Sequence, residues 1–516
     1  MTDISRTTAA TKPSSWPSRP RLAALALAAL VVVGDVLIWH RYEGVNVLVF
    51  GVALIAAIVA VHPHKLGDGR TVVLILIALL GVSPFFEAPS FWALLTAQGG
   101  ITLLALGISD NLPQFEKWGG AFARFGLLAP FRLAGDFFQL LLDSGQQRTG
   151  GSVIRGAAVW IVPAVFAAVF VMLFAAANPV IELGLRAIRI DRLLELLELP
   201  RLILWGFIAA ACWPLLMPRL LTWTALPPVQ GPQLPRAESL LFGRSAILNS
   251  LILFNALFAV QTVLDLLFLW GGVRLPEGLS YAEYAHRGAH PLIATALLAA
   301  AFVLVAMRQS GPGQNSSLIR NLVYLWIAQN VWLVASSVIR LKLYVETYYL
   351  SEMRVAAFIW MGLVAVGLVL IVAKIALNRS NSWLVMSNTA VLSVVLWGVA
   401  WTDIRSYIAF YNVRHSFEVT GAGVPLDLYY MGELGPSAVP AIDELLVTAR
   451  HANEANLKAF RLTREELAQR IVDRNPDTGT AQRRPESWHG WTWRSERLED
   501  YLIAHPFAPA TADAID

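Results

Sequence analysis

Long apolar runs constrain this chain more than any other feature, because a run of about 20 apolar residues matches the thickness of a lipid bilayer. The sequence has 516 residues, of which 56% are hydrophobic and 15% are charged. Soluble globular chains contain about 25% charged residues. The sequence therefore predicts an all-α, polytopic transmembrane helix bundle of about eleven spans, near residues 22–40, 45–62, 71–85, 90–109, 152–177, 201–217, 246–270, 291–307, 318–340, 355–377 and 383–402.

Composition divides the chain into three parts. Residues 1–20 form a polar N-terminal arm that we expect to be disordered, and residues 21–402 form the transmembrane helical domain. After residue 402 the apolar runs stop, and amphipathic patterns predict a small helical C-terminal extension over residues 403–516, called the tail below. Trp488, Trp491 and Trp493 are expected to form a small local core in the tail or, alternatively, to anchor it at the membrane surface.

The charges of the short loops predict the orientation. With eleven spans, the N-terminal arm and the loops on its side of the membrane hold more Lys and Arg than the opposite loops. The positive-inside rule then predicts a multi-pass protein of the bacterial inner (plasma) membrane, with a cytoplasmic N-terminus and a periplasmic tail. One span more or fewer would move the tail to the cytoplasm.

The predicted span at residues 246–270 carries polar side chains that hydrocarbon does not solvate. At roughly 100° per residue, four of them fall on about one third of the helical circumference: Asn255, Gln261, Thr262 and Asp265. A carboxylate at the bilayer centre costs about 3 kcal/mol on insertion scales. The pattern predicts a polar stripe that lines a site, with hydrogen bonding between neighbouring helices as the alternative.

Three segments are expected at one membrane face, because an even number of predicted spans separates each from the next: residues 271–290, residues 340–354 and the start of the tail. Arginines combined with carboxylates and an amide suit an anionic head group or solute, although arginines at span ends also extend to the interface on their own. We expect Glu283 to lie within about 8 Å of at least one of Arg287, Arg340 and Arg354, because long side chains can span that distance. The predicted vestibule comprises Glu283, Arg287, Arg340, Arg354, Asp403, Asn412, Arg414 and Asp427.

Motifs of known chemistry are scarce. Glu283, His286 and His290 have the spacing of metal ligands on a helix. Pro291 disfavours helical geometry at the residue before it, and three ligands make a short set, so we predict no metal site. The single Cys212 excludes an intrachain disulfide and a cysteine metal site. No Walker, HExxH or GxSxG pattern and no aromatic-rich basic block occurs, so the sequence indicates no cofactor, no catalytic residue and no nucleic-acid partner.

Three patches of the sequence are distinctive in combination. They are LWGG at 269–272 with YAEYAHRG at 281–288; IRLKLYV at 339–345 with YLSEMR at 349–354; and IAFYNVR at 408–414 with LD at 426–427 and LGPSAVP at 434–440. Together they resemble an uncharacterised bacterial family known only as a domain of unknown function, number forty-one seventy-three, which has a relative, forty-one fifty-three. The resemblance covers residues 150–445 and implies a multi-span inner-membrane protein, without an activity, a substrate or catalytic residues.

These features favour a membrane component that is not an enzyme, either transporter-like or envelope-sensing, with a polar site near one membrane face. Its expected partners are membrane lipids and a small anionic solute or lipid head group. The alternative is an integral-membrane transferase that acts on a lipid-linked substrate. For this reading, Asp35 in the first span and Glu43 just after it resemble the acidic residues that such enzymes use in their first outer loop.

Overall fold

The computed structural model describes residues 20–109, 126, 133, 135–136, 198–218, 244–270, 316–474, 481–483 and 488–505. The predicted spans at 152–177 and 291–307 lie outside these residues. Long helices of the described part coincide with the other nine predicted spans: α1 (Pro20–Ile38), α2 (Val45–Val61), α3 (Gly69–Val82), α4 (Phe91–Ile108), α5 (Leu199–Leu216), α6 (Arg244–Asp265), α7 (Ser317–Tyr348), α8 (Glu352–Ala376) and α9 (Asn381–Ala400).

Membrane-crossing length distinguishes these helices from one another. Among the described residues, seven helical segments are long and apolar enough to cross a membrane, and they comprise α3 with the turn that follows it and α4 to α9. The first two helices, α1 and α2, are apolar but shorter. The chain is therefore an integral membrane protein with several spans, and the number of about eleven, set by the length argument, remains a prediction.

The described part of the tail is mainly helical and also contains one pair of short strands. Its strands, β1 (Val472–Arg474) and β2 (Ala481–Arg483), pair in antiparallel orientation with Val472 opposite Arg483. The sequence between them, NPDTGT, consists largely of turn-forming residues, which explains why the helical pattern stops there. The tail helices are α10 (Ile404–His415), α11 (Phe417–Thr420), α12 (Leu428–Glu433), α13 (Val439–Thr448), α14 (Glu454–Ala468) and α15 (Trp493–Ala504).

Shorter helical turns occur at the ends of the long elements. Three-residue and four-residue 3₁₀ turns lie at Pro63–Lys65, Ser83–Phe86, Gly435–Ala438 and Trp488–Gly490, and a π turn, Leu266–Trp270, extends α6.

Hydroxyl caps fix the starts of several spans. The Oγ atom of Ser90 accepts a hydrogen bond from Ala93 N at 3.1 Å, where α4 begins. Ser316 caps α7 in the same way through Ile319 N, and Ser380 caps α9. Each hydroxyl satisfies a backbone N–H that the first turn of a helix leaves without an intrahelical acceptor.

The chain divides into two compact units. Unit 1 comprises Met1–Thr222 with Glu486–Thr492, and unit 2 comprises Trp223–Pro485 with Trp493–Asp516. The boundary predicted at residues 402 and 403 does not coincide with this division, because most of the tail groups with α6 to α9. A short piece of the tail instead groups with the first spans.

In unit 1, α3 and α4 pack closely because glycines remove side chains from their contact. A Cβ atom on Gly81 would lie 2.6 Å from the carbonyl oxygen of Thr96, and one on Gly100 would lie 3.0 Å from that of Ile77. The hydroxyl of Thr96 donates to Gly81 O at 2.9 Å. Close approach of two backbones through small residues is a common way for helices to associate in lipid.

Residues 488–492 of the tail pack on the loops of unit 1. Val45 N, at the start of α2, donates to Trp491 O at 2.8 Å. The ring of Trp491 meets Phe86, in the α3–α4 turn, edge to face at 5.2 Å between centroids. A Cβ atom on Gly44 would lie 2.4 Å from the carbonyl carbon of Gly490, so a side chain there is excluded. The tail segment therefore meets the α1–α2 loop and the α3–α4 turn at one end of these helices.

In unit 2, α6 and α7 run parallel to each other. The Nδ2 atom of Asn255, at the middle of α6, donates to Leu322 O in the first third of α7 at 3.1 Å, and Asp265, the last residue of α6, pairs with Arg340 farther along α7. Apolar residues of α6 to α9 form the core around them: Ile247, Leu251, Ile319, Val323, Trp326, Ile327, Leu368, Ile371 and Leu384.

The tail core includes the junction between α7 and α8. Val345 and Leu350 are buried in one cluster with the apolar faces of the tail helices. The α7–α8 loop and the start of the tail therefore lie together, as their separation by two spans predicts. The principal tail members of the cluster are Ile408, Val413, Met431, Val439, Ile442, Leu445, Phe460 and Leu467.

Candidate functional site

The contact between α6 and α7 contains a buried ion pair. Asp265 is 0% exposed and Arg340 is 3% exposed, and Arg340 Nη2 donates to Asp265 Oδ1. Gln261 Nε2 donates to the same carboxylate oxygen at 2.9 Å. Two donors from different helices therefore converge on one oxygen position inside the membrane-spanning part of the protein. We call this contact the seam, and its polar members are Asn255, Gln261, Asp265, Gln329, Asn330, Ser336 and Arg340.

An aromatic pair lies beside the ion pair. The π turn that extends α6 carries Trp270, whose Nε1 donates to the hydroxyl of Ser336 at 3.4 Å. The ring of Trp270 stacks on Trp332 of α7, with 4.9 Å between centroids. Single π turns within helices are frequent at functional sites. The turn is therefore compatible with a site at this end of the seam.

A second polar layer lies deeper along the same two helices. Gln329 Nε2 donates to the backbone oxygen of Asn255 at 3.3 Å, so an amide of α7 meets α6 here. Asn255 Nδ2 donates to Leu251 O at 2.7 Å and also to α7, while Asn330 Nδ2 donates to Trp326 O at 2.7 Å. Ten residues separate Asn255 from Asp265, which is about 15 Å along a helix. The two layers are therefore distinct.

The predicted stripe is divided between these layers. Asp265 and Gln261 belong to the ion-pair layer, and Asn255 belongs to the deeper layer. The hydroxyl of Thr262 donates to Phe258 O at 2.8 Å, within its own helix. A hydrogen bond from a threonine hydroxyl to the backbone carbonyl four residues earlier is a common way to satisfy the hydroxyl within a helix. Contacts between helices are thus made by two of the four stripe residues, Asn255 and Asp265, whereas Gln261 supports Asp265 from within α6.

The predicted vestibule is not one contact cluster among the described residues. Arg354 donates through Nη1 to the backbone oxygens of Tyr348 and Tyr349, and its guanidinium lies 4.5 Å from the ring centre of Tyr344. A cation at this position faces the carbonyl end of α7, where the helix dipole favours positive charge. Arg340, by contrast, lies within the seam.

The remaining described vestibule residues have local structural roles. Asp403 caps α10 through Ser406 N at 3.1 Å, and Asp427 caps α12 through Tyr430 N at 3.0 Å. Asn412 accepts from Leu350 N at 2.8 Å and donates to Leu350 O at 3.0 Å. Arg414 bonds both carboxylate oxygens of Glu444, which lowers the pKa of that carboxyl group. Glu283 and Arg287 lie outside the described residues, as do His286 and His290.

An ion pair in unit 1 was not expected from the sequence. Arg201, in the first turn of α5, donates to both carboxylate oxygens of Asp35 at 2.8 and 2.7 Å. Trp205 Nε1 also donates to Asp35, at 2.8 Å. The only available signal was an acidic and a basic residue near the ends of two separate spans. Because three donors hold the carboxylate, Asp35 is a poor candidate for the catalytic acid of a transferase.

Comparison with protein families identifies the group to which the chain belongs. A family model described as a domain of unknown function (DUF4153) matches residues 74–445. The chain is a member of this family. The match ends at residue 445, as the predicted resemblance does, but it begins at residue 74 and not at 150. The sequence patches had predicted family forty-one seventy-three, and the family that matches is forty-one fifty-three. Searches of curated proteins and of solved structures gave no match.

Proposed function

We propose that this membrane protein is a non-enzymatic, transporter-like component whose binding site is the ion-pair layer of the seam. The observation that supports the proposal is the Asp265–Arg340 pair, which is 0% and 3% exposed between two spans. A buried ion pair gives little net stability over apolar side chains of similar size. An ionisable residue inside a span is, by default, a candidate for a pathway, a proton relay or a ligand counter-ion.

The preferred ligand is a small anionic solute or the anionic head group of a lipid. An arginine guanidinium carries a positive charge and can donate to two oxygens of an anion at once. The guanidinium of Arg340 and the amide of Gln261 both donate to Asp265 Oδ1, and the same donors can bind an oxygen of a ligand in its place. Asp265 Oδ1 therefore occupies the position that we propose for an oxygen of the bound anion.

A binding experiment on purified full-length protein tests this site. Sodium acetate and sodium phosphate serve as soluble probes, and phosphatidylglycerol vesicles serve as the lipid probe. We expect at least one of them to raise the unfolding temperature, because Arg340 and Gln261 supply donors for an anion oxygen. Asp265→Asn, which removes the competing negative charge, should bind at least as tightly as the wild type, and Arg340→Gln should lose binding.

Arg405 supplies the matched control. It pairs with Glu352 at 2.7 Å in the same unit, but both side chains are about half exposed. Arg405→Gln should therefore leave binding unchanged. If Arg340→Gln binds every probe as the wild type does, the seam is not the site. Binding without uptake into proteoliposomes would indicate a sensor, and covalent change of an added lipid would favour the transferase.

For the orientation, we propose an inner-membrane protein with a cytoplasmic N-terminus and a periplasmic tail. The basic residues of the N-terminal arm support the first part. The periplasmic position of the tail is supported by Trp491, whose backbone oxygen accepts a hydrogen bond from Val45 N. Val45 follows the α1–α2 loop, which lies at the opposite end of α1 from the N-terminus. Alkaline phosphatase fused after Asp516 should be active. An inactive fusion, together with an active cytoplasmic reporter at the same position, would contradict this orientation.

A further inference from the structure

The three side-chain amides of the deeper layer use their hydrogen-bond donors and leave their acceptors unused. The NH₂ groups of Asn255, Gln329 and Asn330 all donate to backbone carbonyl oxygens. Within the described part of the chain, the side-chain oxygens of the same three amides accept no hydrogen bond and are buried. Asn255 is 7% exposed and Asn330 is 1% exposed. Three buried carbonyl-type oxygens of the described residues thus have no donor.

Acceptors of this kind require an electropositive partner. A buried polar atom without a hydrogen bond costs about 1–3 kcal/mol, and hydrocarbon offers no water to replace the missing donor. Aromatic rings adjoin the layer: Trp326 stacks on Phe254 at 5.3 Å and meets Phe258 edge to face at 5.8 Å. The faces of such rings carry negative charge density that attracts cations.

We infer that the layer formed by Asn255, Gln329 and Asn330 binds a small alkali-metal cation. Backbone carbonyl oxygens coordinate Na⁺ in membrane transporters, and the side-chain oxygen of an Asn or Gln amide is a neutral acceptor of the same kind. The three proposed ligands carry no negative charge, whereas calcium and magnesium sites use carboxylates. A monovalent ion therefore fits better than a divalent one. This ion site is separate from the proposed anion site, because the two lie about three helical turns apart.

The experiment measures cation dependence of the full-length protein in detergent. Unfolding temperatures are recorded in NaCl, KCl and N-methyl-D-glucamine chloride at equal ionic strength, and binding of ²²Na⁺ is measured directly. We expect a saturable stabilisation by Na⁺ or K⁺ that the large organic cation does not give. Asn255→Leu should abolish it, and Asn255→Asp should lower the half-saturating cation concentration about tenfold, because a carboxylate adds a full negative charge to the ligand set.

Asn388 of α9 supplies the matched control for a lost amide. Like Asn255 and Asn330, it donates to the carbonyl four residues earlier, here Leu384 O at 2.9 Å. Asn388→Leu should keep the cation effect, and so should Arg340→Gln, which tests the anion site alone. Equal unfolding temperatures in all three salts, with no ²²Na⁺ retained by the wild type or by Asn255→Asp, would overturn the inference. That result would leave the amides as glue between helices.

Discussion

Two buried asparagines show how differently the tail and the seam use the same side chain. Asn412, in the tail, is 2% exposed and uses both ends of its amide on one backbone residue, Leu350. Asn255, in the seam, is 7% exposed and uses only its NH₂ group, while its oxygen has no donor within the described residues. Burial alone therefore does not distinguish a structural amide from one with remaining binding capacity.

The ionic groups of the tail follow the same pattern as Asn412. Arg464 bonds both oxygens of Asp443 at 2.9 and 3.2 Å and also donates to His505 O at 2.7 Å. Tyr501 adds a hydroxyl donor to Asp443 at 3.1 Å. A polar network with good geometry specifies one packing arrangement of the helices around it. In the tail polar groups serve the fold, and in the seam, by our proposals, they serve a ligand.

The largest expected effect is a loss of stability in the tail when the hydrogen-bonded network of Arg464, Asp443 and Tyr501 is broken. Arg464→Leu should destabilise the tail by about 3–5 kcal/mol, because it leaves the largely buried carboxylate of Asp443 without its cation. Pulse proteolysis of the full-length protein across a urea series measures the change. Arg470→Leu, which removes an exposed pair with Glu466, should cost less than about 1 kcal/mol. Similar losses for the two variants would remove the structural role of the network.

A smaller difference in stability is expected between variants of the two asparagines, Asn412 and Asn255. Asn412→Leu should cost about 3 kcal/mol, since it strands the buried N–H and C=O of Leu350. Asn255→Leu should cost less in a cation-free buffer, because it also removes an oxygen that had no donor. Unfolding of the two variants in N-methyl-D-glucamine chloride gives the comparison. Equal costs would mean that the seam amide is as structural as the tail amide.

The smallest effect is a pH dependence in the tail. Burial, followed by the charge of Asp443 and its hydrogen bond, raises the pKa of Tyr501 to about 12 from its ordinary value of 10.0. Below pH 10 the folded and unfolded states both keep the proton, so its contribution to stability is complete. Between pH 10 and 12 the unfolded chain loses the proton first, and this contribution falls.

Tyr501→Phe should therefore flatten the decline of the urea midpoint between pH 10 and 12. Tyr407, which is 60% exposed, gives the control, because Tyr407→Phe should leave the slope as in the wild type. A wild-type midpoint that does not fall over this range would contradict the partly buried position of Tyr501 beside Asp443.

Periodicity and composition predict the spans well because hydrocarbon imposes a length and an apolar composition on each of them. Helical spacing also selects Asp265 and Asn255, which do lie on the face of α6 that meets α7. The partner of Asp265 is harder to predict. Arg340 is 75 positions away, and an arginine near the end of a span is as easily read as one that extends to the interface.

For Asp403 and Asp427, the sequence also indicated a local structural role that the predicted vestibule left out. Asp403 and Asp427 each stand three residues before the amide that they cap, a pattern readable from the sequence as a helix start. The three tail tryptophans do not form a local core: Trp491 packs on Phe86, and Trp488 and Trp493 are 54% and 43% exposed. No pattern within the tail reveals that contact, because its partner is several hundred residues away.

The position of residues 488–492 has a consequence for biosynthesis. Unit 1 contains the first spans and also Glu486–Thr492, which the ribosome makes several hundred residues later. At translation rates of about 5–20 residues per second, α1 to α4 wait on the order of tens of seconds for that segment. During this interval Val45 N lacks the acceptor that Trp491 O later provides. The contacts of the first helices of unit 1 are therefore completed only after residues 486–492 have been made.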